Sequence, residues 1–272
     1  MRVQRQESDR EVTIPTFPEP DQVFRSLFAA AKEKDEFEFC CALLRFRGME
    51  DPGWDPTTES FQLIQQMVSL VQVPFDQRLI MRLTLSLYAH VTEMTDLYCV
   101  PANLLRITQG ERYSMDPLKG LPKPPKPVTG DPLGGEAVQL IDLATTVGVP
   151  DIAKLYSAFY IRQVRNAFSH SAYGLGAETF NMRRGEPLTI DGMLQHAIPY
   201  DWLVPRLELG INTALALFGL ILESTHSYTA DKIVKSRFSH DESYVDIQLT
   251  TDPRYGLTGF RQPPDQPLPP TA

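Results

Sequence analysis

The sequence is poor in the features that mark the easily recognised classes of protein. Its three cysteines, Cys40, Cys41 and Cys99, form no Cys-x-x-Cys pair, and two of them are adjacent. This pattern argues against both a zinc site and a disulfide framework. Basic residues are in the minority, with 26 Lys and Arg against 34 Asp and Glu and a net charge of −8. A general positive field cannot therefore hold nucleic acid, and any such contact has to be local.

Long hydrophobic runs are missing as well. The most apolar stretch, residues 211–222, is short compared with the roughly 20 residues that a transmembrane helix needs. Residues 1–9 carry charges where an export signal needs an apolar segment. We therefore expect a soluble protein that does not contact a membrane, and the unpaired cysteine pattern favours a reducing, cytoplasmic location.

Signatures of several common enzyme classes are also missing. The sequence contains no Gly-rich phosphate loop and no Gly-x-Ser-x-Gly nucleophile elbow. His196, His226 and His240 are not accompanied by other ligand types at metal-binding spacing. We expect the protein to use neither a metal ion nor an organic cofactor.

What the sequence does contain is a succession of segments with helical periodicity. Start and stop signals around these segments, such as Asp35 before the second and Gly48 after it, give approximate boundaries. The predicted helices span residues 22–32, 36–47, 58–71, 74–97, 136–147, 151–174 and 201–223. The sixth of them contains the most informative motif of the chain.

The remaining segments complete a mainly α fold. Alternating apolar residues and turn signals predict a β-hairpin over residues 178–190, directly after the motif helix, and a small C-terminal β element over 232–250. Residues 110–135 contain six prolines and five glycines, which predicts a long loop inside the domain. We therefore expect a single helical domain over residues 19–261.

Both ends of the chain are expected to be tails. Residues 1–18 are polar and carry two prolines, whereas residues 262–272 contain five prolines. Such compositions do not support packed secondary structure. The sequence thus predicts an N-terminal tail over 1–18 and a disordered Pro-rich tail over 262–272.

The most informative segment is residues 162–173, which reads Arg-Gln-Val-Arg-Asn-Ala-Phe-Ser-His-Ser-Ala-Tyr. On a helix with about 100° per residue, Arg165 lies beside a single polar stripe. The stripe consists of Arg162, Asn166, His170 and Tyr173. Apolar residues occupy the opposite face and must pack into the core. We therefore expect the polar stripe to face solvent or a subunit interface.

This combination of side chains suits the cleavage of RNA through its own 2′-hydroxyl. The reaction needs a proton taken from that hydroxyl, a proton given to the leaving 5′-oxygen, and positive charge near the phosphorane that forms between. His170 can transfer a proton, Arg165 can stabilise phosphate charge, and Asn166 can orient the imidazole or the phosphate. Because one chain supplies one such histidine, the mechanism predicts a symmetric dimer.

The stretch Arg165-Asn166-Ala167-Phe168-Ser169-His170 resembles the motif of the HEPN superfamily ribonucleases, in which Arg is followed by a polar residue, often Asn, then three residues and His. The resemblance implies a HEPN-like helical bundle and a homodimer with a composite active site. It also implies metal-independent RNA cleavage that leaves a 2′,3′-cyclic phosphate, in toxin, abortive-infection or antiviral defence. An antitoxin or a sensor protein is a further candidate partner.

One feature departs from the pattern of some toxin members. These carry a tyrosine two residues after the histidine, which a nucleotidyltransferase antitoxin can modify. In this chain Tyr173 stands three residues after His170, so the resemblance does not extend to that form of regulation.

The ribonuclease interpretation assigns a role to each polar residue of the motif. The catalytic residues would be Arg165, Asn166 and His170; the substrate-binding residues would be Arg162 and Tyr173. His90 and Glu93 lie one turn apart on the predicted helix over 74–97 and are candidates for assisting the site.

A different class of function stays open. Some superfamily members lack nuclease activity, and a fold resemblance does not by itself establish catalysis. The alternative is a non-catalytic HEPN-like module that dimerises, binds a nucleotide or interacts with another protein, and the acidic net charge is compatible with it.

Overall fold

The computed structural model describes residues 16–45, 55–121, 135–183, 187–237 and 243–264. The tails predicted over 1–18 and 262–272 and the loop predicted over 110–135 lie partly outside these ranges. Within the described residues the chain is mainly helical, as the sequence predicts. The helices are α1 (Pro20–Lys34), α2 (Glu36–Leu44), α3 (Pro56–Val71), α4 (Gln77–Glu93), α5 (Asp96–Thr108), α6 (Gly135–Val147), α7 (Pro150–Phe159), α8 (Arg162–Ser169) and α9 (Tyr200–His226).

Aspartate side chains define the beginning of three helices. The carboxylate of Asp35 accepts a hydrogen bond from the backbone N–H of Glu38, and Asp55 and Asp76 cap α3 and α4 in the same way. Each cap satisfies a backbone donor that has no partner within the helix. The predicted start of the second helix after Asp35 is therefore confirmed.

Two predicted helix ends are wrong. Helix α2 ends at Leu44, because Arg45 adopts a left-handed conformation with φ 50°, and the predicted stop at Gly48 lies outside the described residues. The helix predicted over 74–97 ends at Glu93, and α5 begins at Asp96. The boundary between the two helices is set by residues 94–95, and Pro101 lies inside α5.

Helix α9 is the central helix of the core. It packs against α1, α3, α4 and α7, and Gly210 allows a close approach, since a Cβ there would lie 3.0 Å from Phe159 Cδ2. With 27 residues the helix is long and apolar enough to cross a membrane. The expectation that the apolar segment around residues 211–222 is too short to do so is therefore wrong. Its most apolar window is 56% buried within the protein, which is consistent with a soluble protein.

The strands form small antiparallel sheets. Strands β1, β2 and β5 make one sheet, β3 and β4 make a second, and β6, β7 and β8 make a third. Their ranges are β1 (Tyr173–Leu175), β2 (Thr179–Met182), β3 (Leu188–Ile190), β4 (Met193–Gln195), β5 (Ala197–Pro199), β6 (Lys232–Ser236), β7 (Val245–Asp252) and β8 (Gly256–Arg261).

The predicted hairpin over 178–190 is wrong in its pairing. Strands β2 and β3 lie in that range, but β2 pairs with β1 and β5, whereas β3 pairs with β4. Asp191 and Gly192 connect β3 to β4 with φ values of 51° and 78°, and such positive values suit a tight hairpin turn. In the C-terminal element β6 and β7 lie within or near the predicted 232–250, and β8 adds a third strand.

A single cluster of buried side chains runs through the described helices and reaches the C-terminal sheet. It includes Phe24 of α1, Tyr88 of α4, Leu217 of α9 and Leu249 of β7. Helices α4 and α8 are in direct contact, and this contact positions the motif that the sequence singled out.

Candidate functional site

The helix predicted to carry the motif is not continuous. Helix α7 ends at Phe159, and α8 spans Arg162–Ser169, so the helix predicted over 151–174 is divided and too long. The fully buried Tyr88 of α4 stabilises the break: its hydroxyl donates to the carbonyl of Phe159 at 2.8 Å and accepts from the N–H of Ile161 at 2.8 Å. One side chain thereby satisfies two backbone groups that a continuous helix would pair internally.

Replacement of Tyr88 by phenylalanine is expected to destabilise the protein by about 3 kcal/mol, because it leaves a buried N–H and a buried carbonyl without their partner. The matched control is Tyr98→Phe, since the buried Tyr98 hydroxyl donates one hydrogen bond, to Thr92, and its loss should cost about 1 kcal/mol. Urea denaturation of both variants measures the difference. Equal losses would show that Tyr88 does not secure the junction of α7 and α8.

His170 lies at the C-terminal end of α8 instead of within its body. The helix closes with a Schellman motif, in which the N–H of Ala172 donates to Ala167 at 2.8 Å and the N–H of Ser171 donates to Phe168 at 3.0 Å. Ser171 takes the left-handed position with φ 52°. His170 is exposed, and only its backbone takes part in the cap, where it donates to the carbonyl of Asn166 at 3.0 Å.

The guanidinium group of Arg165 is held in place from two sides. Its Nη1 donates to Oε1 of Glu93 at 2.5 Å, while Nη2 and Nε donate to Oδ1 of Asn166 at 2.9 and 3.3 Å. The Arg165 side chain is 21% exposed and that of Glu93 is 61% exposed. Asn166 therefore orients the arginine next to it, and Glu93 connects α4 to the motif.

Arg162 does not share the exposed surface with Asn166 and His170. It is 6% exposed, so the polar stripe predicted from the wheel is wrong at this position. A buried guanidinium cannot reach a ligand without rearrangement, so the structure does not favour the predicted substrate-binding role.

Tyr173 also departs from the predicted stripe, since it begins β1 and not the last turn of a helix. Its ring stacks on Phe180 at a centroid distance of 5.3 Å and contacts Phe168 at 5.3 Å. These aromatic contacts attach the first strand to the end of α8. The structure assigns Tyr173 a packing role, and contact with a substrate stays a prediction.

His90 is half-buried on α4, close in sequence to Glu93. Burial lowers the pKa of its imidazole, because a low-dielectric environment disfavours the charged form. Its Nε2 is enclosed and, within the described part of the chain, makes no hydrogen bond. An enclosed nitrogen does not favour the predicted assisting role, whereas Glu93 does contact the motif.

A ligand-sized cavity lies away from this motif. A cavity of about 640 Å³ is lined mainly by the segment before α1, by α1 itself and by the start of α7, and none of its lining residues belongs to α8. Among the described residues there is no cluster of three or more His, Cys, Asp or Glu side chains that could hold a metal ion.

Comparison with protein-family models, with curated proteins and with solved structures finds no match for this chain. The functional proposal therefore depends on the surface formed by Arg165, Asn166, His170 and Glu93. Sequence reasoning missed Tyr88, which positions this surface. No local signal marks it, because Tyr88 occurs within the apolar periodicity of α4.

Proposed function

We propose that the protein is a metal-independent endoribonuclease of the HEPN type, which acts as a cytoplasmic homodimer in a toxin, abortive-infection or antiviral defence system. The observation that supports this most is the exposed His170, five residues after an arginine whose guanidinium is held near the surface by Asn166 and Glu93. A group that can transfer protons and a group that can bind phosphate therefore occur on the same short helix segment, which supports the proposal.

In the proposed reaction the 2′-oxygen attacks the adjacent phosphorus while the imidazole of His170 accepts the proton of the 2′-hydroxyl. The bond from phosphorus to the 5′-oxygen then breaks, and the partner subunit's His170, in its protonated form, donates a proton to that oxygen. Arg165 stabilises the negative charge of the phosphorane between these steps. The products are a 2′,3′-cyclic phosphate and a 5′-hydroxyl, and the two histidines exchange protonation states.

The ion pair between Arg165 and Glu93 does not prevent this role. Because the carboxylate of Glu93 is largely exposed, the pair is expected to contribute about 0 to 1 kcal/mol. A phosphate can replace the carboxylate at little cost, while the hydrogen bonds to Asn166 keep the guanidinium oriented. Glu93 thus holds Arg165 in position when no substrate is bound.

The proposed chemistry predicts that cleavage needs the 2′-hydroxyl but no metal ion. The purified protein should cleave single-stranded or structured RNA in EDTA and leave 2′,3′-cyclic phosphate and 5′-hydroxyl ends. A substrate with a 2′-O-methyl group at a mapped cleavage position should no longer be cut there, since the nucleophile is blocked, but should be cut at unmodified positions. Mass spectrometry of the fragments identifies the ends, and 5′-phosphate products or a requirement for Mg²⁺ would contradict the mechanism.

A second candidate is the non-catalytic module that dimerises, binds a nucleotide or interacts with a protein. It is favoured by the internal satisfaction of the motif, because Glu93 and Asn166 already bind Arg165 and Arg162 is buried. In this case sedimentation should detect a dimer or a complex with a partner, as for the first candidate, but neither the wild type nor the Glu93→Gln variant, in which the ion pair is weakened, should cleave RNA. An antitoxin or sensor protein that covers His170 is a proposed partner in either case.

A further inference from the structure

Helix α4 presents an exposed face that runs beside the motif. The face consists of residues spaced three or four apart, Arg78, Arg82, Ser86, Ala89 and Glu93, which fall on one side of a helix. Arg78, Arg82 and Glu93 are exposed. Ser86 and Ala89 are partly exposed. The buried residues of α4, among them Leu85 and Tyr88, lie on other sides of the helix.

Both ends of this face contact the chain segment that carries His170. At one end Glu93 binds Arg165 at 2.5 Å, and at the other end Nη2 of Arg78 donates to the carbonyl of Leu175 at 2.9 Å. The segment from Arg165 to Leu175 therefore runs in the direction opposite to α4, from the Glu93 end of the face to the Arg78 end. His170 lies between the two contacts.

Helix geometry gives the position of Arg82 relative to the two contacts. The fifteen-residue interval from Arg78 to Glu93 extends about 22 Å along the axis of α4, and Arg82 lies about 6 Å from Arg78. His170 follows Arg165 by five residues, or about 7 Å along α8. Along α4, Arg82 therefore lies between the two contacts and one turn from the contact with Leu175.

No described carboxylate forms an ion pair with either arginine of this face. Among the residues that the structure describes, neither Arg78 nor Arg82 forms an ion pair, whereas Arg25, Lys232 and Lys235 at other surfaces each bind a carboxylate. In a chain with a net charge of −8, two such cations beside the motif create the local positive surface that contact with a polyanion requires.

We propose that Arg78 and Arg82 form a phosphate-binding track that leads an RNA strand to His170. The inference deepens the proposed function and rests on it. The track adds substrate-binding residues to the site: Arg165 contacts the reacting phosphate, and the two arginines of α4 bind phosphates of the same strand on one side of it. Because these contacts go to the backbone, they carry no base specificity.

The track predicts a change in the affinity for RNA and in its dependence on salt. Binding of a fluorescently labelled single-stranded RNA is measured by anisotropy in the His170→Ala background, so that the strand is not cleaved. At low salt Arg82→Gln should weaken binding about 5- to 10-fold, and the slope of log K against log salt should become less negative by about 0.7, the contribution of one phosphate contact to a single strand. Arg82→Lys should bind within about twofold of the parent, since a phosphate contact depends mainly on charge.

The matched control is Arg254→Gln, which removes the same charge from an exposed turn between β7 and β8 and should leave binding unchanged. Equal affinities of the Arg82→Gln and Arg254→Gln proteins, or a complete absence of RNA binding, would overturn the track. The experiment distinguishes the failure of one proposal from the failure of the other. If the Arg82→Gln variant with intact His170 cleaves RNA as the wild type does, the proposed function is kept and the phosphate-binding track is rejected. Weaker RNA binding by Arg82→Gln, in a protein that cleaves no RNA with His170 intact, supports the track and rejects the nuclease.

Discussion

Replacement of His170 by alanine is expected to slow RNA cleavage by about 10²- to 10⁴-fold, the usual contribution of a general acid or base. The loss should be mainly in kcat, because the imidazole transfers protons and contributes little to holding the strand. The fold should be unaffected, since the side chain is exposed and the cap of α8 uses only the backbone of His170. Cleavage rates at saturating RNA and thermal denaturation of the same preparations measure the two properties.

The matched control is His196→Ala, which removes another exposed histidine, located between β4 and β5. It should cleave RNA at the rate of the wild type. If the His170→Ala and His196→Ala proteins cleaved RNA equally well, the assignment of His170 would be rejected, and any activity in the preparation would have to come from a different site. Loss of activity together with loss of the folded state would likewise not support a catalytic role, so the thermal midpoint of each variant has to match that of the wild type.

Replacement of Gly256 by alanine is expected to cause the largest loss of stability. Gly256 begins β8 with φ 72°, and a Cβ built there would lie 2.2 Å from the carbonyl oxygen of Thr225 and 2.7 Å from the Cα of His226. Both are backbone atoms at the end of α9, so neither can rotate away as a side chain would. The strained left-handed conformation and the overlap together should cost about 3 to 5 kcal/mol, measured by urea denaturation.

Gly148→Ala separates the two contributions. Gly148 ends α6 with φ 80°, but a Cβ there would meet no atom within 4 Å. The variant should therefore lose only the conformational part, about 1 to 2 kcal/mol. If both variants lost the same stability, the close approach of β8 to the end of α9 would not contribute to the fold, and the C-terminal sheet would have to be attached by other contacts such as the pair of Phe37 and Phe260.

Much of the helical architecture follows from local patterns. The range predicted for α6, 136–147, differs from the observed Gly135–Val147 by one residue, and α2 begins after Asp35 as predicted. These features depend on side-chain periodicity and on a capping residue close in sequence, so a single sequence is sufficient to infer them. The same holds for the presence of strands after the motif and near the C-terminus.

Strand pairing and helix breaks depend instead on contacts between segments that are distant in sequence. The strands β2 and β3 are consecutive but have different partners, because pairing depends on which edges the tertiary structure brings together. Helices α7 and α8 share one uninterrupted periodicity, and the break between them depends on a hydroxyl from Tyr88, more than seventy residues earlier in the chain. No pattern within residues 151–174 contains that information.

The sequence by itself determined the mainly helical class, the position of the motif and the residues for which a catalytic role is proposed, since these depend on neighbours along the chain. Only the tertiary structure decided that Arg162 is covered, that Tyr173 belongs to a strand, and that Glu93 and Asn166 hold Arg165 while His170 stays exposed. The physical reason is that burial and ion pairing arise between segments distant in sequence. The packing of α4 next to α8 likewise brings Arg78 within hydrogen-bond distance of Leu175, just after the motif.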